Sequence, residues 1–182
     1  MDQDYTAPHK ALQKLKAARK LCHTVYLYGA TGYGKTELVK QYLSNRRYGY
    51  LSCADGDWDA AAFPAPKTLE EGGPCSVVVI DDLHRLKNKE KQRDILSLMK
   101  RKDVWLILIS RSQVPPWLLT AYMQTGFLVI PEEDLRLREA EAAALLARFG
   151  AGATQTELAR MVEDSHGNAY TLGLAARLMA GG

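Results

Sequence analysis

Residues 24–36 have the sequence TVYLYGATGYGKT, in which an apolar run leads into a glycine-rich loop. The run 24–28 predicts a β-strand, and the apolar spacing of 35–45 predicts a helix. Between them lies the pattern G-x-x-x-x-G-K-T, from Gly29 to Thr36. A glycine-rich turn that opens a helix directs several backbone N–H groups into one small volume, and the helix N-terminus adds a favourable dipole for an anion. In this strand–loop–helix context the pattern predicts a phosphate-binding loop, or P-loop.

The residues predicted to hold a nucleotide are those of this loop and of the first helical turn. Lys35 is expected to reach the β- and γ-phosphates, and the Thr36 hydroxyl is expected to coordinate Mg²⁺. The expected ligand is therefore ATP or ADP together with Mg²⁺. The complete predicted nucleotide-binding set is Gly29, Ala30, Thr31, Gly32, Tyr33, Gly34, Lys35, Thr36 and Glu37.

Two acidic residues follow a second apolar run. Residues 76–80 predict a strand buried on both faces of a parallel sheet, and Asp81 and Asp82 come directly after it. Because ligands of open α/β sheets bind at the carboxyl ends of the strands, Asp81 is expected to hold Mg²⁺, directly or through water. Asp82 is expected to orient or deprotonate the attacking water, and the alternative is that it only caps the following turn.

Arg111 follows another buried run, 104–109, and is expected at the same edge of the sheet. A guanidinium there can contact the γ-phosphate and respond to its hydrolysis. The alternative is an exposed surface arginine. The predicted catalytic residues are thus Lys35, Asp82 and Arg111, and the predicted metal ligands are Thr36 and Asp81.

Short apolar runs alternate with amphipathic stretches up to Pro131, which predicts an α/β fold. We expect a three-layer sandwich with a parallel sheet over residues 1–131 and a small helical lid over 132–182. Strands are predicted at 24–28, 48–53, 76–80, 104–109 and 127–130. Helices are predicted at 9–21, 35–45, 87–102, 139–149, from 154 onward and at 169–179, with a loop at 54–74 and a break at Pro115-Pro116.

Composition limits the classes of partner. The 182 residues contain 24 Lys and Arg against 21 Asp and Glu, and the net charge of +3 is too small to predict a nucleic-acid surface. No apolar run approaches the length that spans a membrane. The acidic start Met1-Asp2-Gln3-Asp4 does not fit a signal peptide. We therefore expect a cytoplasmic protein that binds neither nucleic acid nor a membrane through this segment.

Taken together, these residues resemble the nucleotide-binding domain of STAND-type P-loop NTPases. The resemblance is greatest to the large LuxR-type bacterial transcription regulators typified by the maltose-regulon activator. It covers most of the chain in one collinear series. Its more specific parts are the paired aspartates followed by Leu83-His84, and Ser110-Arg111-Ser112 with Pro115-Pro116. The other segments are Gly32-Tyr33-Gly34-Lys35-Thr36, Tyr50-Leu51-Ser52 before Asp57, and Asp134-Leu135-Arg136 before 139–146.

The resemblance implies the P-loop NTPase fold and a regulatory switch with slow ATP hydrolysis. Family members hold ADP in a closed state, exchange it for ATP when a signal arrives, and then self-associate. The arginine that matches Arg111 is their nucleotide sensor, and residues 7–10 are expected near the adenine. Sensor repeats and a DNA-binding helix-turn-helix would lie in further domains, so the resemblance implies that this chain is a piece of a longer regulator.

The chain departs from the family pattern in two internal places. The stretch 53–76 is short, so one family helix is expected to be missing there. Gly167-Asn168-Ala169 stands where the family has Gly-x-Pro, which leaves contact between the lid and the nucleotide open.

Two other functions use the same loop. A small-molecule kinase would normally carry an arginine-rich lid, whereas Arg148, Arg160 and Arg177 are far apart in this sequence. A ring-forming ATPase of the AAA class would need an arginine supplied by a neighbouring subunit, and no candidate stands out. Stimulation of turnover by higher protein concentration would favour the ring ATPase.

Overall fold

A computed structural model describes residues 6–20, 24–54 and 76–181 of the chain. Its five strands form one sheet in the order β2-β3-β4-β1-β5, and all neighbouring strands are parallel. The strands are β1 Val25–Tyr28, β2 Tyr48–Ser52, β3 Ser76–Asp81, β4 Val104–Ser110 and β5 Leu128–Ile130. Because the strands are parallel, the P-loop, Asp81 and Ser110 all lie at one edge of the sheet, as predicted.

The helices are named in chain order. They are α1 His9–Lys20, α2 Lys35–Leu43, α3 Lys89–Met99, α4 Pro116–Thr125, α5 Glu132–Leu135, α6 Glu139–Arg148, α7 Gln155–Asp164 and α8 Ala169–Ala180. A short 3₁₀ turn covers Leu83–Arg85. In the described parts of the chain, no helix has both the length and the apolar character needed to cross a membrane.

Helices cover both faces of the sheet, which confirms the predicted three-layer sandwich. On one face, Leu15 of α1 and Leu38 of α2 belong to a buried cluster with side chains of β1 and β4. On the other face, Ile95 of α3 and Leu118 of α4 belong to a second cluster. Every residue of the central strand β4 is buried, as expected for a strand covered by helices on both sides.

The helices after Pro131 form two groups. Leu135 of α5 packs in the core cluster with α1, and the adjacent Asp134 pairs with Lys10 and Lys14 of α1. Helices α6, α7 and α8 have a separate apolar cluster that begins at Leu137. A helical lid therefore follows the α/β core, while the division at residue 131 itself stays a prediction.

Some elements differ from those predicted. The break expected at Pro115-Pro116 is the start of α4, because proline has a suitable φ for the first helical turn and needs no N–H partner there. The helix predicted at 87–102 is shorter and begins after Asn88, whose Oδ1 accepts hydrogen bonds from the N–H groups of Glu90 and Lys91. The loop predicted at 54–74 lies outside the described residues, except for Ala54.

Candidate functional site

The loop between β1 and α2 has a backbone that glycine alone adopts without strain. Gly32 and Gly34 have φ angles of 91° and 71°, in the left-handed region. A Cβ at Gly32 would also lie 2.6 Å from Oδ1 of Asn168, so any other residue there would displace the Asn168 side chain. The glycines of the predicted P-loop therefore fit both its turn and its contact with the lid.

Lys35 is the first residue of α2, and its side chain lies inside this loop. Only 8% of its surface is exposed, and Nζ donates hydrogen bonds to the carbonyl oxygens of Gly29 (2.6 Å) and Ala30 (2.7 Å). Burial lowers the pKa of Lys35, although the nearby Asp81 carboxylate opposes this shift. An ammonium group that has lost water and bonds to neutral carbonyls gains strongly from a nearby anion, so Lys35 fits a phosphate.

Thr36 and Asp81, the two predicted metal ligands, lie together. The Thr36 hydroxyl donates to Oδ2 of Asp81 over 2.7 Å, and the Tyr50 hydroxyl donates to the same oxygen over 2.8 Å. The backbone N–H of Asp82 holds the other carboxylate oxygen at 2.7 Å. A hydroxyl and a carboxylate are hard oxygen ligands that Mg²⁺ accepts together with phosphate and water.

Further ligands for a cation would come from outside these side chains. Among the described residues, no group of three or more His, Cys, Asp or Glu side chains could hold a metal ion. Mg²⁺ usually keeps several waters and binds through one or two protein groups plus substrate phosphates. Thr36 and Asp81 would hold it here.

Asp82 and Arg111 face each other at the same edge of the sheet. Oδ1 of Asp82 lies 3.9 Å from Nε of Arg111 and 3.9 Å from Nδ1 of His84. Within the described residues, Asp82 makes no side-chain capping bond to the 3₁₀ turn that follows it, so the structure does not support the capping alternative. Arg111 is half exposed and lines the same cavity as Lys35, which brings together all three predicted catalytic residues.

These residues line a cavity of about 580 Å³ between the sheet edge and the lid. The loop and α2 contribute six of the nine predicted nucleotide-binding residues, namely Thr31, Gly32, Gly34, Lys35, Thr36 and Glu37. The lid contributes Phe149 from the end of α6 and Tyr170, Leu174 and Arg177 from α8. The volume is typical of a small-molecule site, and the lining combines charged groups with aromatic and apolar side chains.

The other three predicted residues occupy different places. Tyr33 is buried in the core cluster, and Gly29 contributes its carbonyl to Lys35. The N–H of Ala30 donates to Oε2 of Glu132 over 2.7 Å. Direct contact of these three with a nucleotide therefore stays a prediction. At the N-terminus, Thr6 lines the cavity, one residue before the segment 7–10 expected near the adenine.

Sequence reasoning missed the contacts that join the lid to the loop. The Asn168 side chain donates through Nδ2 to the carbonyl of Thr31 (3.1 Å), and the N–H of Tyr170 donates to the carbonyl of Gly32 (3.0 Å). The lid thus contacts the P-loop although alanine replaces the proline of Gly-x-Pro. An Asn before a helix indicates a cap, but nothing in the sequence indicates a bond to a loop 137 residues away.

Comparisons with known proteins bear on the fold. No protein-family model and no curated protein matches the chain. A variant of RuvB from Thermotoga maritima matches 96% of this chain with a TM-score of 0.64 at 19% identity. Another structure of that protein, described as a Holliday junction branch migration motor, matches 96% with a TM-score of 0.62, also at 19% identity. A Walker-type ATPase of Pyrococcus abyssi matches 97% of this chain and 68% of its own, with a TM-score of 0.66 at 12% identity.

At these identities the likeness concerns the fold alone, and this chain has the fold of P-loop NTPases. It spans 62% and 64% of the lengths of the two RuvB structures.

Proposed function

We propose that the chain is a nucleotide-dependent regulatory module that binds ATP or ADP with Mg²⁺ and hydrolyses ATP slowly. The observation that carries this proposal is the convergence of Lys35, the Thr36–Asp81 pair and Arg111 on one cavity. That cavity is bounded by the α/β core on one side and by the lid on the other. A ligand held between two such parts can favour one arrangement of them over another.

The phosphates would lie against the P-loop and the N-terminus of α2. There the loop N–H groups and the helix dipole favour negative charge, and the Lys35 ammonium replaces its carbonyl partners by phosphate oxygens. Thr36 and Asp81 would hold Mg²⁺, which neutralises phosphate charge when bound.

Asp82 and Arg111 are the groups that respond to the γ-phosphate in this proposal. The Asp82 carboxylate would orient the attacking water, and the Arg111 guanidinium would contact the phosphate that ATP has and ADP lacks. A switch needs this difference, because a ligand that binds two conformations equally well shifts neither, however tightly it binds.

The finer part of the proposal rests on the family resemblance. It holds that the chain is the nucleotide-binding part of a signal-responsive, cytoplasmic transcription regulator, with sensor and DNA-binding domains elsewhere and nucleotide-dependent self-association. The exposed side chains Tyr170, Leu174 and Leu178 on α8 are compatible with a partner that covers the lid.

The first experiment is to denature freshly purified protein and identify the released nucleotide by chromatography and mass spectrometry. Stoichiometric ADP would support a closed switch that retains its product. An empty protein that turns over added ATP rapidly would contradict the switch and favour a conventional ATPase or a small-molecule kinase.

The structural likeness to RuvB favours a second candidate, a motor-type ring ATPase. A ring ATPase completes its sites with a residue from the neighbouring subunit, so turnover per protomer should rise with protein concentration. Turnover that stays constant while light scattering reports a monomer would remove this candidate.

A further inference from the structure

The N-terminus of the lid helix α8 is hydrogen-bonded directly to the P-loop. One side chain, Asn168, both caps α8 and bonds to the loop. Its Oδ1 accepts hydrogen bonds from the N–H groups of Tyr170 and Thr171, each over 3.1 Å, and so caps α8. Its Nδ2 donates to the carbonyl of Thr31, also over 3.1 Å.

Asparagine has the chemistry that this position requires. The cap needs an acceptor, the loop carbonyl needs a donor, and a carboxamide carries both on one planar group. Aspartate would supply the cap without the donor, and serine would supply it from a shorter side chain. The second bond, from the N–H of Tyr170 to the carbonyl of Gly32, continues the contact along the loop.

The lid bonds to carbonyls on one side of the loop, and rigid peptide planes link these carbonyls to the N–H groups that would face the phosphates. In a trans peptide the C=O and the N–H lie in one plane and point in opposite directions. The lid holds the carbonyl of Thr31 and therefore fixes the N–H of Gly32. It likewise holds the carbonyl of Gly32 and therefore fixes the N–H of Tyr33. Gly32 has no Cβ to resist rotation, so these bonds contribute to the orientation of its two peptides.

We propose that Asn168 is a positioning residue that couples phosphate binding at the P-loop to docking of α8. Ala169 and Tyr170, which follow Asn168 in the chain, line the cavity. Asn168 itself is not among the described residues that line it. Its influence on the nucleotide therefore passes through the loop backbone. Because such a coupling is reciprocal, bound phosphate should stabilise the docked lid as much as the docked lid improves phosphate binding. This inference rests on the proposed nucleotide site.

The test replaces Asn168 by serine and uses Asn88 as a matched control. Asn88 caps α3 with the same geometry, since its Oδ1 accepts from two backbone N–H groups, at 2.8 and 3.2 Å. Serine caps helices about as well as asparagine and adds no charge. Asn88→Ser and Asn168→Ser therefore make a similar change to a helix cap, although Oδ1 of Asn168 also accepts from the Thr171 hydroxyl (3.3 Å). Of the two, Asn168→Ser alone removes a donor to the P-loop.

Two quantities are measured for each variant: the Kd for ATP and ADP with Mg²⁺ by calorimetry, and amide hydrogen exchange in α8 with and without nucleotide. We expect Asn168→Ser to raise both Kd values about 2- to 12-fold, the factor that corresponds to one neutral hydrogen bond. We also expect it to reduce the extra protection that nucleotide gives to the α8 amides. Asn88→Ser should change neither quantity.

The outcomes separate this inference from the proposed function. If the wild-type chain binds nucleotide and Asn168→Ser keeps both its Kd values and its nucleotide-dependent protection, the coupling is wrong and the site stands. Should both variants weaken binding equally, the effect belongs to helix capping and the coupling is again wrong. If the wild-type chain binds no nucleotide, the proposed function fails first, and the coupling fails with it.

Discussion

Replacement of Lys35 by methionine should abolish nucleotide binding and leave the stability of the fold nearly unchanged. The unliganded fold disfavours the charge on Lys35, because burial lowers the pKa of this side chain and Nζ donates its hydrogen bonds to the neutral carbonyls of Gly29 and Ala30. A nucleotide would favour the same charge. Methionine keeps an unbranched apolar stem of similar length and removes the ammonium, so Lys35→Met should abolish binding without unfolding the chain.

The size of both effects can be estimated. An ammonium and a phosphate oxygen about 4 Å apart, at an effective dielectric constant of about 20, attract each other by about 4 kcal/mol. Loss of this attraction corresponds to about three powers of ten in Kd. In the unliganded chain, the lost hydrogen bonds to Gly29 and Ala30 oppose the relief from burying a charge. We therefore expect the free energy of unfolding to change by about 1 kcal/mol or less.

Calorimetry with ATP and Mg²⁺ measures the first effect, and urea unfolding of nucleotide-free protein measures the second. Lys40→Met is the control, because Lys40 lies on the same helix and is half exposed. Its Nζ lies 3.7 Å from Glu37 and 5.8 Å from the centre of the Tyr50 ring, and Lys40 is not among the described residues that line the cavity. It should leave binding unchanged. Wild-type affinity in Lys35→Met would refute the phosphate role of Lys35. A loss of several kcal/mol of stability would show that the lysine is a structural residue.

Further measurements test the other parts of the site and the fold. Because burial lowers the pKa of Lys35, the unfolded chain binds more protons than the folded chain at pH values between that lowered pKa and about 10.4. The stability of nucleotide-free protein should therefore rise with pH in this window, and the rise should be absent in Lys35→Met. Asp81→Asn should reduce the ratio of nucleotide affinities with and without Mg²⁺ by about tenfold, and an unchanged ratio would contradict the metal assignment. Arg111→Ala should reduce the preference for ATP over ADP by about tenfold, and an unchanged preference would remove its sensor role. Asp134 is 2% exposed and paired with two lysines of α1, so Asp134→Asn should lower the free energy of unfolding by about 2 kcal/mol in urea titrations. Burial raises the pKa of Asp134, but hydrogen bonds and charge from these lysines lower it overall. Its contribution should thus be lost as pH falls from about 3.9 through that lowered pKa, and a flat response would contradict the pairing.

The charged end of the site could be predicted from the sequence because it depends on short-range patterns and one rule of topology. The P-loop is a continuous segment in which strand, glycine turn and helix follow one another. Asp81 and Arg111 needed the added rule that parallel strands end at the same edge. The register supports this rule, since Tyr28 of β1 pairs with Ser110 of β4, and Arg111 follows directly.

Helix α4 could not be predicted, because two prolines preceded a segment without a clear apolar face. Leu118 is buried, but Leu119, Tyr122 and Met123 are exposed, so burial along this helix does not follow the usual amphipathic period. The two prolines indicated a break when they in fact formed the start of the helix. A helix of this kind is determined by the packing of a few side chains on the sheet.

Contacts of Asn168 and Glu132 with the loop could not be predicted for a different reason. Each joins residues more than 100 positions apart, between elements whose relative placement follows from tertiary packing. Asn168 is a good helix cap and Glu132 is an ordinary first-turn acid, so the local sequence already explains both residue types. Their second role becomes visible only when the lid and the end of β5 lie against the P-loop.

The internal partners of the site indicate where ATP and ADP would be distinguished. The Lys35 ammonium, the Thr36 hydroxyl and the N–H of Ala30 each have a hydrogen bond of 2.6 or 2.7 Å within the fold. A ligand that engages these groups exchanges one bond for another, and this includes any contact that Lys35 makes to the γ-phosphate. Arg111 differs, because it is 49% exposed and its carboxylate partner, Asp82, lies 3.9 Å away. An arginine whose carboxylate partner is distant gains the most interaction energy from a new anion. The γ-phosphate should therefore favour ATP over ADP most strongly through Arg111.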